Sequence, residues 1–190
     1  MKAATEVPFQ VMDSTGQPRI EIQEDSSVLC LDGNPDKTEQ TIRLESPAEN
    51  VSFIKLEALT HHRLGGGGPG RRSDGEFLLS EIKVTVAPLN APEQKQAVKL
   101  VAATAEKASK GQEAKLAIDG NPQTGWGITA ADKGSGNHAA IFQLEKPVGF
   151  PQGTVWTIQL DQQAGAQKTL GRYRLSLGQV RAVATLAEKD

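Results

Sequence analysis

Two stretches of this sequence gather residue types that bind ligands. The first runs Ala117-Ile118-Asp119-Gly120-Asn121-Pro122-Gln123-Thr124-Gly125-Trp126. Asp119 and Asn121 stand two apart, with the Thr124 hydroxyl shortly after. A carboxylate, an amide and a hydroxyl are oxygen ligands suited to a hard cation such as Ca²⁺, which usually takes about 6 to 8 of them. The same spacing equally makes an Asx-turn, in which Asp119 caps its own backbone. The EF-hand loop pattern is absent.

The second stretch is glycine-rich: His61-His62-Arg63-Leu64, then Gly65 to Gly68, then Pro69-Gly70-Arg71-Arg72-Ser73-Asp74-Gly75. A phosphate loop needs its glycines followed by Lys and Ser/Thr at the start of a helix. Lys is missing here and a strand pattern follows, so that chemistry is excluded. Two readings stay open. One is a flexible crossover between strands. The other is a ligand loop in which His61, Arg71, Arg72 and Asp74, joined by His138, bind sugar hydroxyls, carboxylates or sulfates through charge-assisted hydrogen bonds.

Other chemistry finds little support. His61 and His62 are adjacent, so a strand would point them to opposite faces. His138 follows the turn Gly134-Ser135-Gly136-Asn137. No H-E-x-x-H or G-x-S-x-G occurs. Cys30 is the single cysteine and lies in the apolar run Ser27 to Leu31, which suits a buried small hydrophobe. With one cysteine there is no intramolecular disulfide, and no CxxC or CxxCH marks a zinc ribbon or attached haem.

The elements that must position these loops read as strands. Arg19 to Ile22, Thr41 to Glu45 and Ile82 to Val86 alternate polar and apolar residues. Val51 to Leu59 does so with one irregularity, expected as a bulge. Phe77 to Val86 is the longest candidate; Ala139 to Leu144, Thr154 to Leu160 and Tyr173 to Leu177 add three more. Ala102 to Ala117 is alanine-rich and suits one or two helical turns, interrupted by Gly111. Ala87 to Pro92 resembles a linker, extending to about residue 97.

Composition agrees. The chain has 190 residues, 19 Gly, 10 Pro and only 4% aromatic residues, which favours many turns between short strands. A net charge of −2 leaves no electrostatic footprint for nucleic acid. No apolar run is long enough for a membrane span, and MKAATEVPFQ lacks the apolar core of a signal peptide. The expected organisation is an N-terminal extension over 1–15, a single antiparallel β-sandwich over 16–180 and a tail over 181–190. Two small β domains split at the linker are the alternative. Eight aromatic residues are few for two cores. Phe53, Phe77 and Phe142 are expected in the core. Trp126 either plugs the sandwich end or offers a sugar-stacking surface, and the core is the better use of a scarce ring.

The loop AIDGNPQTGW resembles the A-x-D-G-x-x-x-T-x-W signature of discoidin-like β-sandwiches, a group that includes many carbohydrate-binding modules with a galactose-binding-like jelly roll. The resemblance implies a structural Ca²⁺ in this loop, joined by a glutamate in an S-E-I-x-V context. Here Ser80-Glu81-Ile82-Lys83-Val84 precedes the loop instead of following it, which implies a circularly permuted strand order. Glu81, Asp119, Asn121 and Thr124 would then converge on the metal, with backbone carbonyls near Lys115 and Ala117.

A longer series resembles a region of large planctomycete multidomain proteins that carry c-type cytochrome domains. It comprises SVLCLDGNPDKTEQTIRL, IKLEALTHHRLGGGGPGRRSDGEFLLSEIKVTV, AIDGNPQTGWGI, HAAIFQLEKPVGF and LGRYRLSL. That likeness implies an exported, extracytoplasmic setting, neighbouring domains on the same polypeptide, and no haem in this segment. Together these readings lead to the expectation of a non-catalytic binding module for a polysaccharide or glycan. The rival expectation is an interaction or architectural domain that packs on cytochrome domains.

Overall fold

Alternating polar and apolar residues build strands along most of the chain. A computed structural model describes residues 2–7, 10–16, 19–132 and 136–182. In chain order the strands are β1 (Lys2–Glu6), β2 (Gln10–Gly16), β3 (Ile20–Ile22), β4 (Val28–Cys30), β5 (Thr38–Ser46), β6 (Val51–Ala58) and β7 (Phe77–Leu79). They continue with β8 (Glu81–Pro88), β9 (Gln96–Val98), β10 (Leu100–Ala105), β11 (Trp126–Ile128), β12 (His138–Val148), β13 (Thr154–Gln162) and β14 (Arg172–Ala182). Short 3-10 turns occupy Gly65–Gly67 and Ala114–Ile118.

The strands form an all-β antiparallel sandwich. One sheet has seven strands in the order β10-β12-β6-β14-β4-β3, with β1 also paired to β14. The other has five, β2-β5-β13-β8-β9, and β7 and β11 make a separate ribbon. Strand β5 shows why the pattern works: Thr38, Gln40, Ile42, Leu44 and Ser46 are buried while the residues between them face outward. One core takes Leu56, Phe142 and Leu177 from the first sheet and Leu44, Val84, Trp156 and Ile158 from the second. It spans both sides of the expected linker.

Several expectations change. Residues 1–15, expected as an extension, contribute β1 and β2, which pair with β14 and β5. The expected linker is the turn of a hairpin: β8 runs through Ala87 and Pro88, the chain reverses, and β9 returns beside Val84 to Val86. Pro88 sits at the strand end, where its missing N–H is tolerated. The Phe77 to Val86 strand is broken at Ser80, whose N–H donates to Asp161 O at 2.8 Å. That break sends β7 to β11 and β8 to β13.

The alanine-rich segment forms β10 before its 3-10 turn, because pairing with β12 overrides alanine's helical preference. The expected bulge in β6 is absent from its pairing with β14, which runs unbroken from Phe53 to Ala58. The irregularity lies instead between Gln143 and Val148 of β12. Phe53 and Ile54 are both buried although they face opposite sides; Phe53 covers Gly178, where a Cβ would meet its ring at 2.0 Å. Arg181 and Ala182 of the expected tail complete β14, and 183–190 lie outside the described residues.

The outer face of the seven-stranded sheet carries a chain of ion pairs. Arg172 meets Asp25 at 2.7 Å, Arg174 meets Asp25 at 3.6 Å and Glu57 at 2.8 Å, and Lys55 links Glu57 at 3.2 Å to Glu6 at 3.3 Å. The Ser27 hydroxyl, 2.6 Å from Asp25 Oδ1, leads in holding the Asp25 carboxyl below its ordinary range. Partial burial opposes this, while the Ser27 N–H and the two arginines assist it.

A carboxyl with a depressed folded pKa adds stability above its unfolded pKa and loses it as pH falls. Asp25→Asn is therefore expected to lessen the acid-induced loss of stability below about pH 4. The effect should stay under about 1 kcal/mol because the pair is exposed to solvent. Urea midpoints at acid and neutral pH check this, and an identical acid loss in variant and parent refutes it.

Candidate functional sites

The Asp119 loop leaves the 3-10 turn at Ala114–Ile118 and delivers Trp126 to the core. Within it, the Asn121 N–H donates to Asp119 Oδ1 at 2.8 Å, and the Gln123 N–H donates to Asn121 Oδ1 at 3.1 Å. The Thr124 hydroxyl lies 3.1 and 2.9 Å from the two Asp119 oxygens. These are the hydrogen bonds of Asx-turns, so the turn reading is present in full. The Asn121 N–H leads in lowering the Asp119 pKa, with the Thr124 hydroxyl adding to it.

The structure also brings Glu81 to this loop. Glu81 opens β8 on the outer side of its sheet, yet it is only 7% exposed. Its carboxyl faces that of Asp119, with the Gly120 N–H directed at it. Burial is the main force raising its pKa; Gly120 opposes that, and the Asp119 charge adds to it. Glu81 Oε1 is buried and has no hydrogen-bond partner.

Two carboxyl groups pressed together, one with an orphaned buried oxygen, form an oxygen-only donor set that fits a hard cation. Glu81 and Asp119 would hold it, while the amide of Asn121 and the hydroxyl of Thr124 are engaged in shaping the turn. Among the described residues no group of three or more His, Cys, Asp or Glu is placed to bind a metal.

The glycine-rich loop is not a loose crossover. It doubles back so that Gly65 to Gly70 pack on Ser73 to Glu76. Gly66 has φ +63°, and a Cβ there would lie 2.3 Å from the Asp74 carbonyl carbon. Glycine meets both conditions. The doubled loop is stitched to the chain before β14: Arg71 N–H donates to Thr169 O and Gly171 N–H to Pro69 O, each at 2.8 Å.

Of the five expected ligand residues, Arg72 and Asp74 are brought into direct contact. Arg71 turns inward and donates from Nη2 to Asp32 O at 2.6 Å. Arg72 pairs with Asp74 at 3.0 Å and Glu76 at 3.3 Å. His61 stacks beside His62 with ring centroids 4.2 Å apart. Burial chiefly lowers the His61 pKa, with His62, Arg172 and Arg63 adding to it. His138 begins β12 opposite Ala58 and is buried. No sequence signal announced the inward turn of Arg71, because its partner Asp32 is distant in the chain.

A groove that the sequence did not announce lies on the outer face of the five-stranded sheet. Arg43, Thr157 and Thr85 form one row across β5, β13 and β8. The β8–β9 turn, carrying Glu93 and Lys95, walls this row to enclose about 330 Å³. Val155 and Ala87 supply an apolar floor, and no aromatic ring lines the groove. Trp126 and Trp156 are both fully buried in the core. No helix among the described residues is long and apolar enough to cross a membrane. No family model, curated protein or solved structure matches the chain.

Proposed function

We propose that this chain is a non-catalytic, carbohydrate-binding module that uses the groove on its five-stranded sheet. The make-up of this groove carries the proposal: the five-stranded face has its own ion pair, Lys83 to Asp161 at 2.6 Å, but that pair lies outside the groove's lining. The seven-stranded face is occupied by ion pairs between its own side chains. The five-stranded face offers a polar groove whose row of Arg43, Thr157 and Thr85 presents a guanidinium beside two hydroxyls. Such groups hydrogen-bond to sugar hydroxyls, and the apolar floor suits the carbon faces of a sugar ring.

Ca²⁺ at Glu81 and Asp119 would act structurally, neutralising the facing carboxyls and fixing the loop that anchors Trp126. The discoidin-like segments support a galactose-binding-like, permuted jelly roll, and the longer resemblance supports an exported setting beside other domains.

Affinity electrophoresis against a panel of soluble polysaccharides tests the ligand reading. Retention by at least one is expected, weakened at least about tenfold by Arg43→Ala, the loss of one charge-assisted contact. No retention, or retention unchanged in both Arg43→Ala and Thr157→Ala, rejects the groove. Melting temperature tests the cation separately. Millimolar CaCl₂ should raise it in the parent and leave Glu81→Ala unmoved. An equal response in both rejects calcium at Glu81.

A further inference from the structure

A second polar group lies inside the sandwich, apart from the groove and the Asp119 loop. Tyr173 of β14 pairs with Val28 of β4, and Cys30 is two residues further along β4. Cys30 and Tyr173 therefore share the inner face of the seven-stranded sheet as diagonal neighbours. They are 4% and 0% exposed. From the opposite sheet, Gln40 Nε2 donates to Cys30 Sγ at 3.0 Å, and Gln162 lies against Gln40 at 3.5 Å. Arg71 closes this end from the glycine-rich loop, held through Nη2 by the carbonyl of Asp32, two residues past Cys30.

The hydrogen bonding of this group is one-sided. The Tyr173 hydroxyl and Arg71 Nη1 are both buried without a partner. Burial pushes the Tyr173 pKa well up and raises that of Cys30, so both keep their protons. The Cys30 sulfur already accepts from Gln40, which leaves its S–H to donate elsewhere. Arg71 forms no ion pair among the described residues; the Asp32 charge attracts it only from beyond ion-pair distance. Two buried donors, one of them cationic, thus lack an acceptor, and the Cys30 thiol interacts electrostatically with both. A buried donor left in that state is costly to stability.

We propose that Arg71 Nη1, the Tyr173 hydroxyl and the Cys30 thiol hold a small monovalent anion of chloride size inside the sandwich. The ion accepts from all three donors and offsets the guanidinium charge. It would also tie the glycine-rich loop to both sheets, since Arg71 belongs to the loop, Cys30 and Tyr173 to one sheet, and the adjoining Gln40 to the other.

Thermal melting of the full chain in sodium chloride, sodium bromide and sodium gluconate at equal ionic strength tests this. The halides should raise the melting temperature by about 3 °C or more over gluconate, increasing with concentration. Tyr173→Phe, which keeps the ring and removes one donor, should lose most of that gain. Arg71→Met should lose all of it. Crystals grown in bromide should show an anomalous peak within hydrogen-bond distance of the Tyr173 oxygen. Equal melting in all three salts, an undiminished halide gain in Tyr173→Phe, or no anomalous peak at the Tyr173 oxygen would each overturn the proposal. The phenylalanine variant preserves the test if Arg71→Met does not fold.

Discussion

Trp126→Ala is expected to cost about 3–5 kcal/mol of unfolding free energy. Trp126 is fully buried and meets Phe77 edge to face, with ring centroids 5.1 Å apart at 81°. Its indole N–H donates to Lys107 O at 3.1 Å. Alanine would open a large cavity, remove the ring pair and leave the Lys107 carbonyl without this donor. Trp126 also ends the Asp119 loop, so the variant should lose any stabilisation by calcium along with its packing. Trp126→Phe should cost less, because it keeps a ring against Phe77 and loses mainly volume and the Lys107 bond. Urea unfolding followed by far-UV circular dichroism measures both. A cost below about 1 kcal/mol for the alanine variant would show that the loop does not depend on this anchor.

Gly70→Ala should be the most damaging small substitution in the glycine-rich loop, at about 3 kcal/mol. A Cβ at Gly70 would lie 1.7 Å from the Glu76 carbonyl oxygen and 2.4 Å from its carbon. Those atoms are backbone, so no side-chain rotation relieves the clash. Gly70 also bonds Gly75 O through its N–H at 3.1 Å and bridges to Leu170. Separating the two arms of the loop would withdraw Arg71 from the sandwich end. Gly136→Ala is the control, since no described atom lies within 4 Å of the added methyl, and it should change stability by less than about 0.5 kcal/mol. Equal melting temperatures for the two variants would contradict this packing.

The sequence made the central strands plain and the peripheral ones obscure. Thr41 to Glu45 and Thr154 to Leu160 alternate because each has one face on the core, and both lie within strands. KAATE and QVMDSTG carry too few apolar residues to show a period, so β1 and β2 were invisible. Pro88 and Pro92 made the β8–β9 hairpin look like a linker. At the candidate sites, the Asx-turn followed from residue spacing, and the approach of Glu81 to Asp119 was implied by the discoidin-like resemblance alone. The burial of Glu81 and the inward turn of Arg71 were not. Both depend on what a distant segment covers: Gly120 over Glu81, and the Asp32 carbonyl beside Arg71.

The order of the seven-stranded sheet has a consequence for synthesis. Strand β14 is the last described strand in the chain, yet it lies at the sheet's centre, between β6 and β4 and beside β1. Until residues 172–182 leave the ribosome, those earlier strands lack the partner that joins them. Exposed strand edges recruit other chains, and pairings between segments so far apart form slowly. The nascent chain is therefore prone to aggregation just before β14 arrives, and a chaperone that shields extended segments would act in that interval.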